Sequence, residues 1–154
     1  MSFRITGLPA VEFADLFSLC DNALRTRRAI RQVADARFSY PCRVSLTDAE
    51  IGDAVILVNY EHQRAESPYR ASHAIYVREG EATYDAVDAV PDQLRRRMLS
   101  LRAFDENGMI VGADLVDGRA LEASIATLLA DARAAYLQVH FAKFGCYAAR
   151  IERA

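Results

Sequence analysis

The side chains in this sequence best suited to chemistry fall into three short blocks. Tyr40-Pro41-Cys42-Arg43 sets a thiol beside a guanidinium, and a nearby cation favours the thiolate, the form that attacks carbon or ligates metal. The second block is Asn59-Tyr60-Glu61-His62, continuing through Ser67-Pro68-Tyr69-Arg70-Ala71-Ser72-His73. The third is His140-Phe141-Ala142-Lys143-Phe144-Gly145-Cys146-Tyr147, which contains the sole lysine of the chain. All three fall at strand ends or loops, where a rigid scaffold usually presents functional groups. Cys42, His62, His140 and Cys146 are therefore the candidate catalytic residues. Arg43, Tyr60, Tyr69, Arg70, His73, Lys143 and Tyr147 are the candidate ligand contacts.

Each choice has a structural alternative. Arg43 and Arg70 suit an anion, because a guanidinium grips carboxylate or phosphate through a planar fork. They serve equally as ion-pair partners of Glu61, Glu66 or Asp48. Either cysteine can be a small buried hydrophobe, since adjacent residues in an extended segment point to opposite faces and adjacency is not contact. His62, His73, His140, Cys42 and Cys146 include nitrogen and sulfur ligands, but no pair has His-x-x-x-His or Cys-x-x-Cys spacing. No bound metal is expected. A phosphate loop, a dinucleotide fingerprint and a Gly-x-Ser-x-Gly elbow are all missing, so no cofactor is expected either.

The elements that position these blocks follow from periodicity. Phe3 to Thr6 suits a short strand. Pro9 suits the first position of a helix, and Phe13, Leu16, Phe17, Cys20 and Leu24 follow at helical spacing, which makes Cys20 a core residue. Ala29 to Ala34 is a weak strand, and Val44 to Leu46 another after the interruption at Pro41. Ala54 to Tyr60 is apolar on both alternating faces and reads as a central strand. Glu61 to Ser72 reads as a loop, Ala74 to Val77 as a strand, and Pro91 to Arg95 as a helical turn. Met98 to Phe104 and Met109 to Val116 form a hairpin around Glu106-Asn107-Gly108, with Gly108 in the left-handed position. That loop pairs Leu99 with Leu115, Leu101 with Ala113 and Ala103 with Val111. Asp117 caps a second helix from about residue 118 to 130, followed by strands at Ala135 to Ala142 and Tyr147 to Ile151. The expected fold is α+β: a single domain over residues 1–154, mainly antiparallel sheet with two main helices packed on it.

In the strand before the third block, Tyr136, Gln138 and His140 share one face, and Leu137, Val139 and Phe141 the other. The second face is core. The first is polar, and it is either a solvent-facing surface or the wall of a site. In the site reading His140 points into a pocket with a ring nitrogen free, and Lys143 stands at the rim and draws anions. In the other, neighbouring backbone satisfies the histidine and the lysine lies in solvent.

Bulk properties exclude several classes. A formal charge of -2 and a pI near 5.9 give no basic surplus, so nucleic acid is not an expected partner. No apolar run approaches the ~18 residues of a membrane span, and the first residues lack the pattern of a secretory signal. A cytoplasmic location is expected, with reduced thiols. Two functions remain. One is a small polar pocket that binds, and in its fuller form transforms, a small anionic molecule. The other is a non-catalytic interaction module, a homo-oligomer and most simply a homodimer, with Tyr60, Tyr69, Tyr76 and Phe144 at its interface.

The same blocks resemble a bacterial family described as domain of unknown function 1203. The resemblance is carried by Phe3 to Leu8, Tyr40-Pro41-Cys42-Arg43-Val44-Ser45-Leu46, Asn59-Tyr60-Glu61-His62, Ser67-Pro68-Tyr69-Arg70-Ala71-Ser72, Leu99-Ser100-Leu101-Arg102-Ala103-Phe104-Asp105, and Val139-His140 through Gly145-Cys146-Tyr147. The family pattern commonly has Asn where this chain carries Phe141. The resemblance implies one compact domain and supplies no activity.

Overall fold

The computed structural model, which describes residues 1–154, arranges the strands of the chain in two antiparallel sheets. In chain order the strands are β1 (Phe3–Thr6), β2 (Ala29–Val33), β3 (Ala54–Gln63), β4 (Ala71–Arg78), β5 (Asp85–Val87), β6 (Met98–Phe104), β7 (Ile110–Asp117), β8 (Tyr136–Phe141) and β9 (Tyr147–Arg153). The helices are α1 (Asp21–Thr26), α2 (Asp92–Arg95) and α3 (Leu121–Leu129). The larger sheet runs β5-β1-β9-β8-β6-β7, and the smaller runs β2-β3-β4 with β3 in its centre.

The larger sheet is the middle layer. Its apolar face, built by Leu99, Leu101, Leu137, Val139 and Ile151, packs against Leu121, Ile125 and Leu129 of α3. Asp117 caps the entry to that helix by accepting from the Arg119 amide through its side chain. The opposite side meets the smaller sheet, where Ile56, Val58, Ile75 and Val77 pack with Leu8, Phe13, Leu16 and Tyr147. The polar face of β8 is therefore not a solvent surface: Gln138 is 2% exposed and His140 0%.

The architecture is α+β and mainly antiparallel, with one substantial helix where the sequence suggested two. The stretch after Pro9 forms 3-10 turns at Ala10–Glu12 and Ala14–Ser18, and then the short α1. Phe13, Leu16 and the half-buried Leu19 lie three apart, and a 3-10 turn, with three residues per turn, aligns such a row better than an α-helix does. Leu19 and Cys20 are extended, which breaks the ladder, so Cys20 is exposed and not part of the core. Val44 to Leu46 form a turn instead of a strand, with Leu46 at φ 53°. Backbone bonds from Leu8 to Arg43 and from Tyr84 to Val44 tie this segment to other parts of the chain instead.

The β6–β7 register departs from expectation by one residue over most of its length. Phe104 pairs with Ile110 as the loop geometry demands, but a bulge at Val111 moves Ala103 onto Gly112, Leu101 onto Asp114 and Leu99 onto Val116. The bulge leaves Leu115 on the outside, 65% exposed. It also sets Gly112 and Asp114 beneath α3, where Leu128 approaches Gly112 and Ser124 donates to Asp114. Gly118 sits where a methyl group would overlap the Leu94 carbonyl. Gly118→Ala should lower stability by about 2 kcal/mol or more in urea titration, because backbone blocks the added carbon. Ala at Gly80, which has open space and only an unfavourable φ, should cost about 1 kcal/mol.

Candidate functional site

Arg43 is the most unusual residue of the protein. Its side chain is among the largest that are fully buried, and the residue is 2% exposed. No carboxylate pairs with it. Nε donates to the Tyr147 carbonyl at 2.8 Å, Nη1 donates to the Pro41 carbonyl, and Nη2 donates to Cys146 Sγ at 3.0 Å. Burial lowers its pKa, and the cysteine sulfurs work against that shift. The backbone holds it as tightly: the Arg43 amide donates to the Tyr76 carbonyl and its own carbonyl accepts from Leu8.

Beside Arg43 opens a pocket of about 660 Å³ between the smaller sheet and the β8–β9 turn. Phe38, Leu57, Tyr76, Met98, Phe141 and Phe144 supply apolar wall, while Arg43, Arg97, His73 and Lys143 supply the basic groups; no acidic side chain lines it. Two guanidinium groups approach the Phe141 ring, Arg43 at 4.9 Å and Arg97 at 5.0 Å from its centroid. Arg97 is neutralised by Asp48 through contacts of 2.6 and 3.2 Å. Lys143 is exposed and makes no ion pair, and its ammonium lies 5.9 Å from the centre of the Phe144 ring. His73 donates from Nδ1 to the Ala74 carbonyl at 3.0 Å and keeps Nε2 without a protein partner.

The turn that brings Cys146 to this pocket is tightly specified. The Gly145 amide bonds the Phe141 carbonyl at 2.8 Å, and the Phe141 amide bonds the Cys146 carbonyl at 2.9 Å. Gly145 has φ 76°, a left-handed conformation costly for other residues. The Gly145 carbonyl in turn accepts from His140 Nδ1 at 3.0 Å.

A second cleft, of about 610 Å³, lies where β3 crosses the polar face of the larger sheet. Tyr60, His62 and Tyr147 line it together with Glu12, Glu61 and Arg64. His62 Nδ1 lies 3.1 Å from Gln138 Oε1, and Gln138 Nε2 donates back to the His62 carbonyl at 3.1 Å. The His62 ring stacks on Tyr147 at 5.4 Å and meets His140 edge-on at 5.0 Å. Burial pushes Tyr60 up to about 12 and raises Tyr147 further, so both phenols stay neutral. With two carboxylates on its wall, this cleft has no preference for anions.

The sequence blocks thus separate. Arg43, His73, Lys143 and Cys146 meet at the apolar pocket; Tyr60, His62 and Tyr147 meet at the polar cleft. Tyr69 and Arg70 line neither. Tyr69 is 41% exposed, and Arg70 is tied to Glu61 at 3.1 Å and to Glu66. Cys42 lies in a small core with Ala34, Ala49 and Val55, where desolvation pushes its thiol up to about 12. His140 is enclosed: Nδ1 meets Gly145 and Nε2 lies 3.2 Å from Gln138 Oε1, so neither nitrogen reaches a cavity. This matches the alternative in which neighbouring protein groups surround the histidine, and not the site reading with a free ring nitrogen. Phe38, Leu57, Arg97, Met98, Phe141 and Phe144 escaped the sequence reading as pocket residues. Of these Phe141 and Phe144 carried a signal, since both fall inside the third sequence block.

The chain is an α+β protein of two packed antiparallel sheets with two cavities at their junction. Residues 39–153 match the model of the family described as Protein of unknown function (DUF1203), and the chain belongs to that family. No curated protein and no solved structure matches it.

His140 sets the acid response. Burial, then the nearby Arg102 charge, pushes it down to about 3 from an ordinary value near 6.5. As pH falls below about 6.5 the unfolded chain takes up this proton while the folded chain does not, so stability is lost toward pH 3 at up to ~1.4 kcal/mol per unit. Burial shifts His62 in the same direction. The urea midpoint should therefore fall between pH 7.5 and 5.0, above the main carboxylate titrations. In His140→Gln the drop should be markedly smaller, and an equal drop would assign it to other groups.

Proposed function

We propose that the pocket beside Arg43 binds a small anionic molecule with an apolar body, in a reducing cytoplasmic setting. The observation that carries this reading is a buried guanidinium with no carboxylate partner, at the wall of a cavity with no acidic lining residue. A buried charge without a counter-ion is costly, and a ligand anion supplies one. Phe141, Phe144, Met98 and Leu57 offer the apolar surface that small-molecule sites favour around a few fixed polar groups. Lys143 at the mouth adds an unpaired positive charge that draws anions in. The three cysteines are unpaired, in keeping with a reducing compartment.

A second reading has an observation of its own. Phe144 is 74% exposed, Met98 49% and Phe38 46%, and all three stand at the same pocket. Such a patch suits coverage by another protein surface, with a second copy of the chain as the simplest occupant. Sedimentation equilibrium separates the readings: a monomer at tens of micromolar counts against the second.

Benzoate, benzyl alcohol and benzylamine share a ring and differ in charge. Thermal denaturation should rise with benzoate and stay unchanged with the other two. Lys143→Glu should weaken benzoate binding by about tenfold, the equivalent of ~1.4 kcal/mol, in isothermal titration calorimetry. Equal shifts from all three compounds would show that charge plays no part.

A further inference from the structure

We propose that the face around the mouth of the pocket docks an acidic peptide segment of another protein, one that carries apolar side chains between its carboxylates. The inference goes beyond the small-molecule reading and does not depend on it, because most of the residues that carry it lie outside the cavity. It also replaces the second copy of the chain with a partner of opposite charge.

A shallow groove of about 340 Å³ continues the pocket across the outer face of the smaller sheet, and the two share Leu57 and Ala74. Ile30 pairs with Leu57 and Leu57 with Tyr76, which sets these side chains in a row across β2, β3 and β4, about 10 Å from end to end at the usual strand spacing. Ile30 is 54% exposed, and Phe38, Met98 and Phe144 extend the apolar surface on the pocket side.

Charge separates this face from the rest of the surface. Five exposed basic side chains make no ion pair and bond no backbone carbonyl: Arg25, Arg28, Arg37, Arg96 and Lys143. All five border this face. Arg25 and Arg28 line the groove, Arg37 and Arg96 lie over the Phe38 ring at 5.1 and 4.5 Å, and Lys143 lines the pocket. No acidic side chain lines the pocket or the groove. Elsewhere carboxylates stand in the walls: Glu12 and Glu61 in the polar cleft, Asp53 and Glu79 in the hollow beside Arg31. A chain with a net charge of -2 thus gathers its unanswered cations on one apolar face, where they complement an anionic partner. A second copy docked through the same face about a two-fold axis would bring like charges together.

The floor of the groove decides which anion fits. It is aliphatic where it crosses β2 and β3, without the row of open rings on which nucleic-acid bases stack. Two amides there stand free for a peptide backbone. The Asn59 side chain is exposed and bonds no protein group. The Tyr76 carbonyl turns away from β3 to accept from Arg43, so Ala74, two residues earlier, turns its N–H to the same open edge, where no acceptor meets it.

The test begins with a random peptide library displayed on phage and selected on the intact folded chain. Enriched sequences should set Asp or Glu beside Leu, Ile or Phe. The most enriched peptide, synthesised with a fluorescent label, is then titrated by anisotropy. Arg28→Glu combined with Arg96→Glu should weaken its binding about tenfold, and the same peptide with Lys in place of each acid should bind that variant better than it binds the original chain. Benzoate affinity should be the same in the variant, since neither residue lines the pocket. Failure of the original chain to bind benzoate strikes the small-molecule reading and leaves the docking face standing. The docking face is overturned by a selection without acidic enrichment, or by a charge-reversed variant that binds the acidic peptide equally well. It is also overturned if oligouridylate or phosphatidylglycerol vesicles bind more tightly than the peptide and displace it. Self-association that excludes the peptide assigns the face to a second copy instead.

Discussion

One buried cation organises the junction of the two sheets. A guanidinium removed from water must have its hydrogen bonds answered, and Arg43 answers them from segments far apart in the chain: Pro41 beside it, and Cys146 with Tyr147 about a hundred residues later. Its main chain does similar work by bonding Tyr76 on β4 and Leu8 after β1. The turn at Val44–Leu46 and the position of β9 follow from these ties. Gln93, itself 2% exposed, adds a bond to the Cys42 carbonyl, so α2 joins the same junction.

The layer between the sheets is an uncommon interior. Beside the aliphatic cluster of Ile56, Val58, Ile75 and Val77 it holds His62, Gln138, His140 and Tyr147, joined through one amide and through stacked and edge-on rings. Gln138 bonds His62 on β3 through both its amide oxygen and its amide nitrogen, so the angle between the sheets is fixed by directional contacts as well as by packing. Buried polar networks of this kind favour one arrangement strongly when they are satisfied. The apolar side of the larger sheet follows ordinary rules, with leucines and isoleucines against α3.

That contrast explains what was legible in the sequence. Strands with clean alternation, such as Leu137, Val139 and Phe141 opposite Gln138 and His140, were placed well, as were the Asp117 cap and the turn at Pro91. Local pattern failed where tertiary contacts decided the outcome. Phe13, Leu16 and Cys20 fit a helical wheel, yet a row spaced by threes formed 3-10 turns and left Cys20 in solvent. The hairpin loop was read correctly, but a bulge at Val111, set by the fit of β7 beneath α3, has no signature in local sequence. The polar face of β8 was recognised, while its burial was not, because β3 covers it from another sheet. Clustering of Cys, Arg, His and Lys marked one wall of the pocket; the aromatic wall came from residues that looked like ordinary core or surface.

The pocket walls come from Phe38 to Arg43, from β3 and β4, from Arg97-Met98 and from the β8–β9 turn. No two neighbouring segments in the chain make a usable half of it. The cavity is therefore complete only when segments distant in the chain have docked together. An occupant of this cavity would act as a clasp across the whole molecule, reporting through its affinity on the population of complete, correctly docked chains.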